Sequence, residues 1–137
     1  MTRPSLLLDA SALLAFIRRE IGGERVLQAI GSDDQTCLVS AVQWVEVSGK
    51  LIGDGTFTAE QVAGRMERLG QLLVTVPFST EAIRAASFYS ARRRPYNLSL
   101  GDALCLGTAE TLGADVMTAE RAWASLPDLP FQVQAIR

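Results

Sequence analysis

A short apolar run near the start of the chain, residues 6–8, ends abruptly at Asp9 and is followed by the small residues Ala10 and Ser11. An apolar run of this length without polar alternation is typical of a strand that is buried on both faces, as in a parallel sheet. Ligands of open α/β sheets bind beyond the carboxyl ends of the strands, so Asp9 is a candidate site residue. The alternative is structural, because Asp9 or Ser11 could equally cap the helix that follows.

Strand-like and helical patterns alternate along the rest of the chain, which is typical of a parallel sheet covered by helices on both faces. Further short apolar runs predict strands at residues 36–39, 74–77, 115–118 and 131–136. Apolar residues at helical spacing predict helices at residues 10–20, 24–30, 41–52, 59–73, 80–94 and 102–112, with one or two helical turns at 120–126. We therefore predict an α/β fold in one domain, residues 1–137, because no linker or internal repeat divides the sequence.

Composition limits the chemistry that the chain could perform. Of its 137 residues, 48% are hydrophobic and 20% are charged, which is typical of a globular protein. The sequence contains no histidine, which excludes Ser-His-Asp and Cys-His mechanisms, zinc sites with imidazole ligands and histidine acid–base pairs. A hydrolase of this composition would have to rely on carboxylates and a metal ion that prefers oxygen ligands.

The net charge, the cysteines and the apolar segments limit the partners and the cellular location that we expect for the protein. The net charge of −2 means that contact with a nucleic acid would need a local basic patch. Cys37 and Cys105 lie in apolar surroundings without metal-ligand spacing, so we expect reduced thiols in the core and a cytoplasmic protein. No apolar run approaches the roughly 18 residues of a membrane span, and the first strand begins too early to leave room for a signal peptide.

Three more acidic residues stand where an acid is not the obvious choice, and each also has a structural explanation. Asp102 lies on the apolar stripe of its predicted helix, but the helix dipole favours an acid in the first turn. Glu46 lies on a largely apolar helix, but it could form a surface ion pair with Lys50 at i+4. Glu120 follows a predicted strand, but it could be a first-turn acid under a Thr118 cap.

Considered together, the acids favour a functional interpretation. Asp9 and Glu120 follow the carboxyl ends of strands, and Asp102 begins a helix on what should be the same edge of the sheet. Carboxylates gathered in one place repel one another and raise their pKa values unless a cation lies among them. Mg²⁺ or Mn²⁺ suits a ligand set made of oxygen atoms, so the sequence predicts a site for one of these ions.

Four segments resemble the PIN-domain ribonucleases, and most closely the VapC-type toxins of bacterial toxin–antitoxin pairs. They occur in the family's order, span nearly the whole chain and read LLDASALL at residues 7–14, SAVQWVEV at 40–47, LSLGDAL at 98–104 and VMTAERAW at 116–123. The resemblance implies a PIN-like three-layer α/β/α sandwich with a central, mostly parallel sheet of four to five strands. It also implies a metal-dependent endoribonuclease whose products carry a 5′-phosphate and a 3′-hydroxyl.

The resemblance also assigns roles to the acidic residues. Asp9, Glu46 and Asp102 would carry the catalytic site, with Asp9 and Asp102 as direct ligands of Mg²⁺ or Mn²⁺. Glu120 stands at a fourth catalytic position, where the family usually has Asp, and its extra methylene extends the carboxylate by roughly 1.5 Å. Two hydroxyl groups would support the site, those of Ser11 and Thr118.

A basic run and two apolar helices indicate contacts with partners. Arg92, Arg93 and Arg94 form the densest basic run and are either a solvated helix end or a contact with RNA phosphates near the acidic site. The helices at residues 44–52 and 62–73 are rich in apolar groups, which core packing would explain. The resemblance implies a second use for them, as a groove for an amphipathic segment of a VapB-like antitoxin and as a homodimer contact.

The sequence is compatible with other functions. A phosphoacceptor receiver domain would need an Asp at the end of the middle strand and a Lys after the last inner strand. Here Pro77 follows the third strand, and the one lysine, Lys50, lies in a helix. A PIN-like domain weakened in catalysis by Glu120 would act by binding RNA or protein. Within the enzyme interpretation, a housekeeping RNA-processing nuclease is the alternative to a toxin.

Overall fold

A five-stranded parallel sheet forms the centre of the protein in a computed structural model that describes residues 3–137, apart from the side chains of Arg93 and Pro95. The strands in chain order are β1 (Ser5–Leu8), β2 (Thr36–Ser40), β3 (Val74–Val76), β4 (Asp115–Thr118) and β5 (Val133–Ala135). Their order in the sheet is β3-β2-β1-β4-β5, and each neighbouring pair is parallel. The first strand of the chain is therefore the central one, and Asp9 lies at the middle of the sheet's carboxyl edge.

Helices connect the strands and cover both faces of the sheet, as crossovers between parallel strands require. The helices are α1 (Ala10–Ile17), α2 (Gly23–Gly31), α3 (Ala41–Gly53), α4 (Ala59–Gly70), α5 (Ile83–Ala91), α6 (Arg93–Tyr96) and α7 (Leu100–Leu112). Short 3-10 helices span Thr80–Ala82 and Arg121–Ser125. In the part of the chain that the structure describes, no helix is both long and apolar enough to cross a membrane.

The sheet separates two apolar clusters, and successive leucines of β1 contribute to both. Leu6 and Leu8 belong to the cluster that contains residues of α1, α3 and α4. Leu7 belongs to the other cluster, with residues of α5 and α7. Because side chains alternate along a strand, a run of three leucines can be buried on both faces. The predicted three-layer α/β/α sandwich with a mostly parallel sheet of four to five strands is thereby confirmed.

The start of α7 differs from the prediction. The Ser99 hydroxyl accepts from the Asp102 amide at 3.1 Å, and Asp102 Oδ2 accepts from the Ser99 amide at 2.9 Å. This capping box starts the helix at Leu100, so Asp102 is its third residue. The predicted start at Asp102 is therefore wrong, because Ser99, three residues before the acid, caps the helix.

Other helices are shorter than predicted. α1 ends at Ile17, after which Arg19 adopts left-handed backbone with a φ of 56°. The helix predicted at residues 80–94 is divided into a 3-10 turn, α5 and α6. Within α6, Arg94 is extended, with φ of −109° and ψ of 136°, as the residue before a proline usually is. The two cysteines are free and buried, as expected.

Candidate active site

Asp9 lies directly after the central strand, and its backbone continues the parallel ladder. Its amide donates to the Met117 carbonyl of β4 at 3.1 Å. Its side chain caps α1, because Oδ1 accepts from the Ala12 amide at 2.8 Å. The capping explanation that the sequence offered is therefore confirmed. The carboxylate is nevertheless 3% exposed, and a helix cap does not require burial of that extent.

Two hydroxyl groups hold the Asp9 carboxylate. Ser11 Oγ lies 2.8 Å from Oδ1 and 2.9 Å from Oδ2, and Thr118 Oγ1 donates to Oδ2 at 2.6 Å. Each hydroxyl oxygen also accepts from a backbone amide after β4, Ser11 from Ala119 at 2.9 Å and Thr118 from Glu120 at 3.0 Å. Each hydroxyl can therefore accept from an amide and donate to the carboxylate at the same time. The network joins the ends of β1 and β4.

Burial raises the pKa of Asp9 to about 6, from an ordinary value of 3.8. The hydrogen bonds from Thr118, Ala12 and Ser11 lower this pKa, because they stabilise the charged form, but they do not offset the loss of solvation. The negative charge of Asp102 raises the pKa further. A cation beside this carboxylate would favour its ionised form.

Asp102 is half-buried in the first turn of α7. Its Oδ2 accepts from the Ser99 amide at 2.9 Å, whereas the described residues provide no hydrogen bond to its Oδ1. The positive end of the helix dipole favours a negative charge at this position. The dipole explanation and a site role are therefore compatible, since one carboxylate oxygen caps the helix and the other is available.

Glu46 lies half-buried on α3, with its carboxylate against the backbone of α7. A Cβ built on Gly101 would collide with Oε1 of Glu46 and would lie 3.3 Å from its Cδ. Burial raises the pKa of Glu46, the charge of Lys50 lowers it, and the charge of Asp102 raises it. Within the described part of the chain, Lys50 forms no ion pair with Glu46, so the surface-pair explanation does not account for this acid.

The thiol of Cys105 shows that three of the acids converge. Cys105 is fully buried one turn after Asp102 on α7. Burial raises the pKa of this thiol, and the charges of Asp9, Asp102 and Glu46 each raise it further. These acids come from the end of β1, from α7 and from α3, so three separate segments bring carboxylates to one place.

Glu120 stands apart from the other three acids. Its carboxylate is exposed and takes part in no hydrogen bond or ion pair of the described residues. It is not among the charges that shift the pKa of Asp9 or Glu46. Its backbone amide donates to Thr118 Oγ1, but the 3-10 helix begins at Arg121 with Glu120 itself as the N-cap, so the predicted first-turn position under a Thr118 cap is wrong. The structure thus brings Asp9, Glu46 and Asp102 together and leaves the side chain of Glu120 outside that group.

The sequence model of one family, described as the PIN domain, matches residues 6–129. The chain belongs to the PIN-domain family. This match confirms the resemblance that the four sequence segments indicated, and it includes every acidic residue described above. None of the curated proteins matches the sequence significantly.

Solved structures that resemble this PIN domain include VapBC complexes and a VapC toxin. VapBC2 from Rickettsia felis, bound to a promoter DNA fragment, gives a TM-score of 0.74 at 12% identity over 96% of this chain and 98% of that chain. DNA-bound VapBC from Salmonella typhimurium gives a TM-score of 0.72 at 14% identity over 100% of both chains. Mycobacterium tuberculosis VapC20, a Sarcin-Ricin loop cleaving toxin, gives a TM-score of 0.66 at 15% identity over 88% of this chain and 94% of that chain. At these identities the likeness shows a shared fold.

The donor chemistry of this PIN domain fits a divalent ion. The described residues contain no group of three His, Cys, Asp or Glu side chains that is already arranged to hold a metal. Mg²⁺, however, is commonly held by one or two carboxylates together with waters and substrate phosphates. Asp9 offers a buried carboxylate, and Asp102 offers a free Oδ1 beside it. These two residues could hold such an ion.

The predicted basic run follows the end of α5. Residues 90–91 of α5 line a pocket together with the first turn of α7, so the end of α5 approaches the helix that carries Asp102. The Arg92 guanidinium lies over the Phe88 ring, 4.0 Å from the ring centroid, and Arg94 is exposed. The side chain of Arg93 lies outside the described residues.

An open groove of about 620 Å³ lies between α1, α2 and α4. Its apolar lining includes Leu27 and Leu72, which are 57% and 64% exposed, and Arg65 and Arg68 also line it. The predicted groove helices were those at residues 44–52 and 62–73. α4 does line the groove, but α3 does not, because α3 packs against α1, α4 and α7.

Two residues beside the acidic site were not predicted, Gln43 and Gly101. Gln43 is 1% exposed and shares a face of α3 with Val47 and Leu51, four and eight residues later. That spacing was a usable signal, because a polar side chain on a buried face needs partners. Gly101 carried no such signal, since its importance depends on how closely α3 and α7 approach.

Proposed function

We propose that this PIN domain, residues 1–137, is a Mg²⁺- or Mn²⁺-dependent endoribonuclease and the toxin of a toxin–antitoxin pair. The observation that carries the proposal is the Asp9 carboxylate, which is buried at the end of the central strand, held by two hydroxyls and repelled by Asp102. Similarity to toxin structures, one of them a Sarcin-Ricin loop cleaving toxin, supports it.

The described contacts suggest a role for each group. Asp9 and Asp102 would hold the divalent ion, while Ser11 and Thr118 keep the Asp9 carboxylate in one orientation. When bound, the ion would neutralise charge on the scissile phosphate and lower the pKa of the attacking water. Glu46 would accept the proton of that water, because its carboxylate has no hydrogen bond among the described residues and is free to do so.

The experiment that tests the proposal measures cleavage of RNA by the purified protein with Mg²⁺ or Mn²⁺. Asp9→Asn and Asp102→Asn should abolish cleavage while the circular dichroism spectrum stays unchanged. Asp34→Asn is the matched control, because it removes one exposed acid away from the site and should leave cleavage unchanged. Full activity in either site variant would refute the assignment.

Glu120 has a smaller part in this proposal. Because its carboxylate is exposed and outside the group of three acids, Glu120→Gln should reduce cleavage less than Asp102→Asn does. The same exposure favours a second candidate function, a catalytically weak domain that acts by binding RNA or protein. Wild-type protein that binds RNA but cleaves none with either ion would support that second candidate.

We further propose that the basic run at residues 92–94 contacts RNA phosphates. Arg94 is the best placed of the described side chains, since it is exposed while Arg92 stacks on Phe88. Arg94→Ala should weaken RNA binding and reduce the slope of log affinity against log salt by about 1. Arg84→Ala, near the other end of α5, is the control. An unchanged slope in Arg94→Ala would contradict the contact.

The groove between α1, α2 and α4 is the proposed docking site of a VapB-like antitoxin segment. The relatives crystallised as VapBC complexes support an antitoxin partner. Leu72→Glu places a charge in the exposed apolar lining and should prevent capture by the antitoxin encoded beside the gene, without loss of RNA cleavage. A complex of unchanged stability in size-exclusion chromatography would locate the antitoxin elsewhere.

The toxin role and the proposed homodimer can be tested in cells and in solution. Expression without the antitoxin should arrest growth, and Asp9→Asn should abolish the arrest. A housekeeping nuclease would instead be tolerated when expressed. Light scattering after size-exclusion chromatography should give the mass of a dimer, and a monomer at micromolar concentration would contradict it.

A further inference from the structure

Gln43 is a neutral polar residue enclosed between α3 and α7, and both ends of its side-chain amide are bonded. It is 1% exposed. Its Oε1 accepts from the Ser40 hydroxyl at 2.6 Å, and its Nε2 donates to the Gly101 carbonyl at 3.1 Å. Such an amide is held in one orientation, because breaking either bond would leave a buried polar group unpaired.

The Gly101 carbonyl, which can only accept, determines which end of the Gln43 side-chain amide faces α7, and Ser40 bonds the other end. Ser40 is 1% exposed and caps α3, where its Oγ accepts from the backbone amide of Gln43 at 3.3 Å. While Ser40 Oγ accepts this hydrogen bond, its own proton is free to point at Oε1 of Gln43. The opposite end of the amide, Nε2, then faces the Gly101 carbonyl, which can only accept. Hydrogen bonds therefore run from the end of β2 through α3 to α7.

This connection reaches α7 at the residue before Asp102. The absence of a side chain at Gly101 leaves room for the Glu46 carboxylate. Gln43 and Glu46 are three residues apart on α3, so one bonds the Gly101 backbone while the other lies against it. Like charges on Glu46 and Asp102 favour separation of the two helices, and the neutral amide opposes that separation.

We propose that Gln43 is a positioning residue of the acidic site, whose amide fixes the first turn of α7 against α3 at the separation that places Glu46 beside Asp102. This inference rests on the proposed metal-dependent nuclease function. Being neutral, Gln43 restrains the two acids without neutralising them. Their negative charge therefore stays available for a cation.

Two variants separate positioning from general stability. Gln43→Met preserves the length of the side chain but removes both hydrogen bonds. Thr108→Val is the matched control, because Thr108 is 3% exposed on α7 and its hydroxyl donates to the Leu104 carbonyl at 2.8 Å. The control therefore loses a buried hydrogen bond within α7 but keeps the hydrogen bond from Gln43 that connects α3 to α7.

Three readouts are compared in wild type and variants at a temperature where all are folded. They are amide hydrogen exchange in the first turn of α7, affinity for Mn²⁺ alone by calorimetry, and kcat and KM for RNA cleavage. In Gln43→Met we expect faster exchange at Asp102 and Ala103, weaker Mn²⁺ binding and a kcat lowered about tenfold with unchanged KM, because a small misplacement of site groups is costly. Thr108→Val should retain the wild-type Mn²⁺ affinity and kcat.

Wild-type Mn²⁺ affinity and kcat in Gln43→Met would overturn the inference. An equal loss of Mn²⁺ affinity and kcat in Thr108→Val would also overturn it, because a general loss of stability would then explain the effect. If the wild type itself binds no Mn²⁺ and cleaves no RNA, the proposed nuclease function fails instead. Hydrogen exchange then decides the positioning role: faster exchange confined to the first turn of α7 supports it, and unchanged exchange overturns it.

Discussion

The carboxylate of Asp9 has a structural task and a proposed chemical one. As the cap of α1 and the acceptor for Ser11 and Thr118, it joins the ends of β1 and β4. These hydrogen bonds favour its charged form, whereas burial opposes it. The pKa is raised to about 6 because burial has the larger effect. An ionisable group kept where its charge is unfavourable is typical of functional sites.

This balance predicts that the Asp9 charge destabilises the metal-free protein at neutral pH. Between its unfolded pKa of 3.8 and its folded pKa of about 6, the folded state binds more protons. Stability should therefore fall as the pH rises through this interval, by about 3 kcal/mol in all. In EDTA, Asp9→Asn should be more stable than the wild type at about pH 8 and of similar stability at about pH 4.

Urea unfolding at both pH values measures this difference in the free energy of unfolding. Asp34→Asn, an exposed acid, should differ little from the wild type at either pH. If Asp9→Asn changed stability equally at both pH values, the raised pKa would not be the cause.

Gly101 offers a second prediction at the residue scale. Gly101→Ala would place its Cβ against Oε1 of Glu46, and the flexible Glu46 side chain would move aside. The folded state should keep its stability, while RNA cleavage should fall about 10–100-fold, because a small misplacement of a site group has an effect of that size. Gly49→Ala, on α3 and facing open space, is the control. Cleavage at the wild-type rate in Gly101→Ala would contradict the importance of this contact.

Single residues were predictable where neighbouring residues determine their role. Asp9 was identified because it interrupts an apolar strand, and its capping role needed no tertiary information. The exposure of Glu120 was not predictable, because Glu120, like Asp9, follows the carboxyl end of a strand. The backbone after β4 turns the Glu120 side chain to solvent, and no sequence pattern specifies that turn.

Among the helices, α5 and α7 approach each other closely at Gly107. A Cβ there would lie 2.6 Å from Cα of Ala86 and 2.7 Å from its Cβ. Gly107→Ala should reduce the free energy of unfolding by about 1–3 kcal/mol, because a clash with backbone is not relieved by side-chain rotation. Gly64→Ala, whose nearest neighbour is an arginine tip at 3.7 Å, should be neutral or stabilising by up to about 1 kcal/mol. Equal unfolding midpoints for the two variants in urea would show that the packing adapts.

Helix boundaries were predictable where a local motif determines them. The capping box of Thr58 and Gln61 begins α4 where the sequence indicated. The capping box of Ser99 and Asp102 begins α7 in the same way, and the spacing of its two residues specifies that start. The break at Arg94 near the end of the helix predicted at residues 80–94 also has a local cause, because the residue before a proline is usually extended.

The whole molecule assembles its acidic site from segments that are far apart in the sequence. The central position of β1 follows from the strand order β3-β2-β1-β4-β5, and it places Asp9 where both neighbouring strands also end. The meeting of Asp9 with Asp102 was predictable in outline, because parallel strands share a carboxyl edge. The contact of Glu46 with Gly101 was not, since it depends on the packing of α3 against α7.

A ligand that binds the folded protein alone stabilises the whole chain, so the proposed ion should raise the melting temperature. At a Mn²⁺ concentration about ten times its dissociation constant, the gain is about 1.4 kcal/mol, or about 5 °C for a domain of this size. Asp9→Asn and Asp102→Asn should lose this increase, whereas Asp34→Asn should keep it. Because the pKa of Asp9 is about 6, protons compete with the ion at low pH, and the increase should be much smaller at about pH 5 than at about pH 8. Melting curves with Mn²⁺ and with EDTA measure each increase, and an equal increase in wild type and Asp9→Asn would show that the ion binds elsewhere.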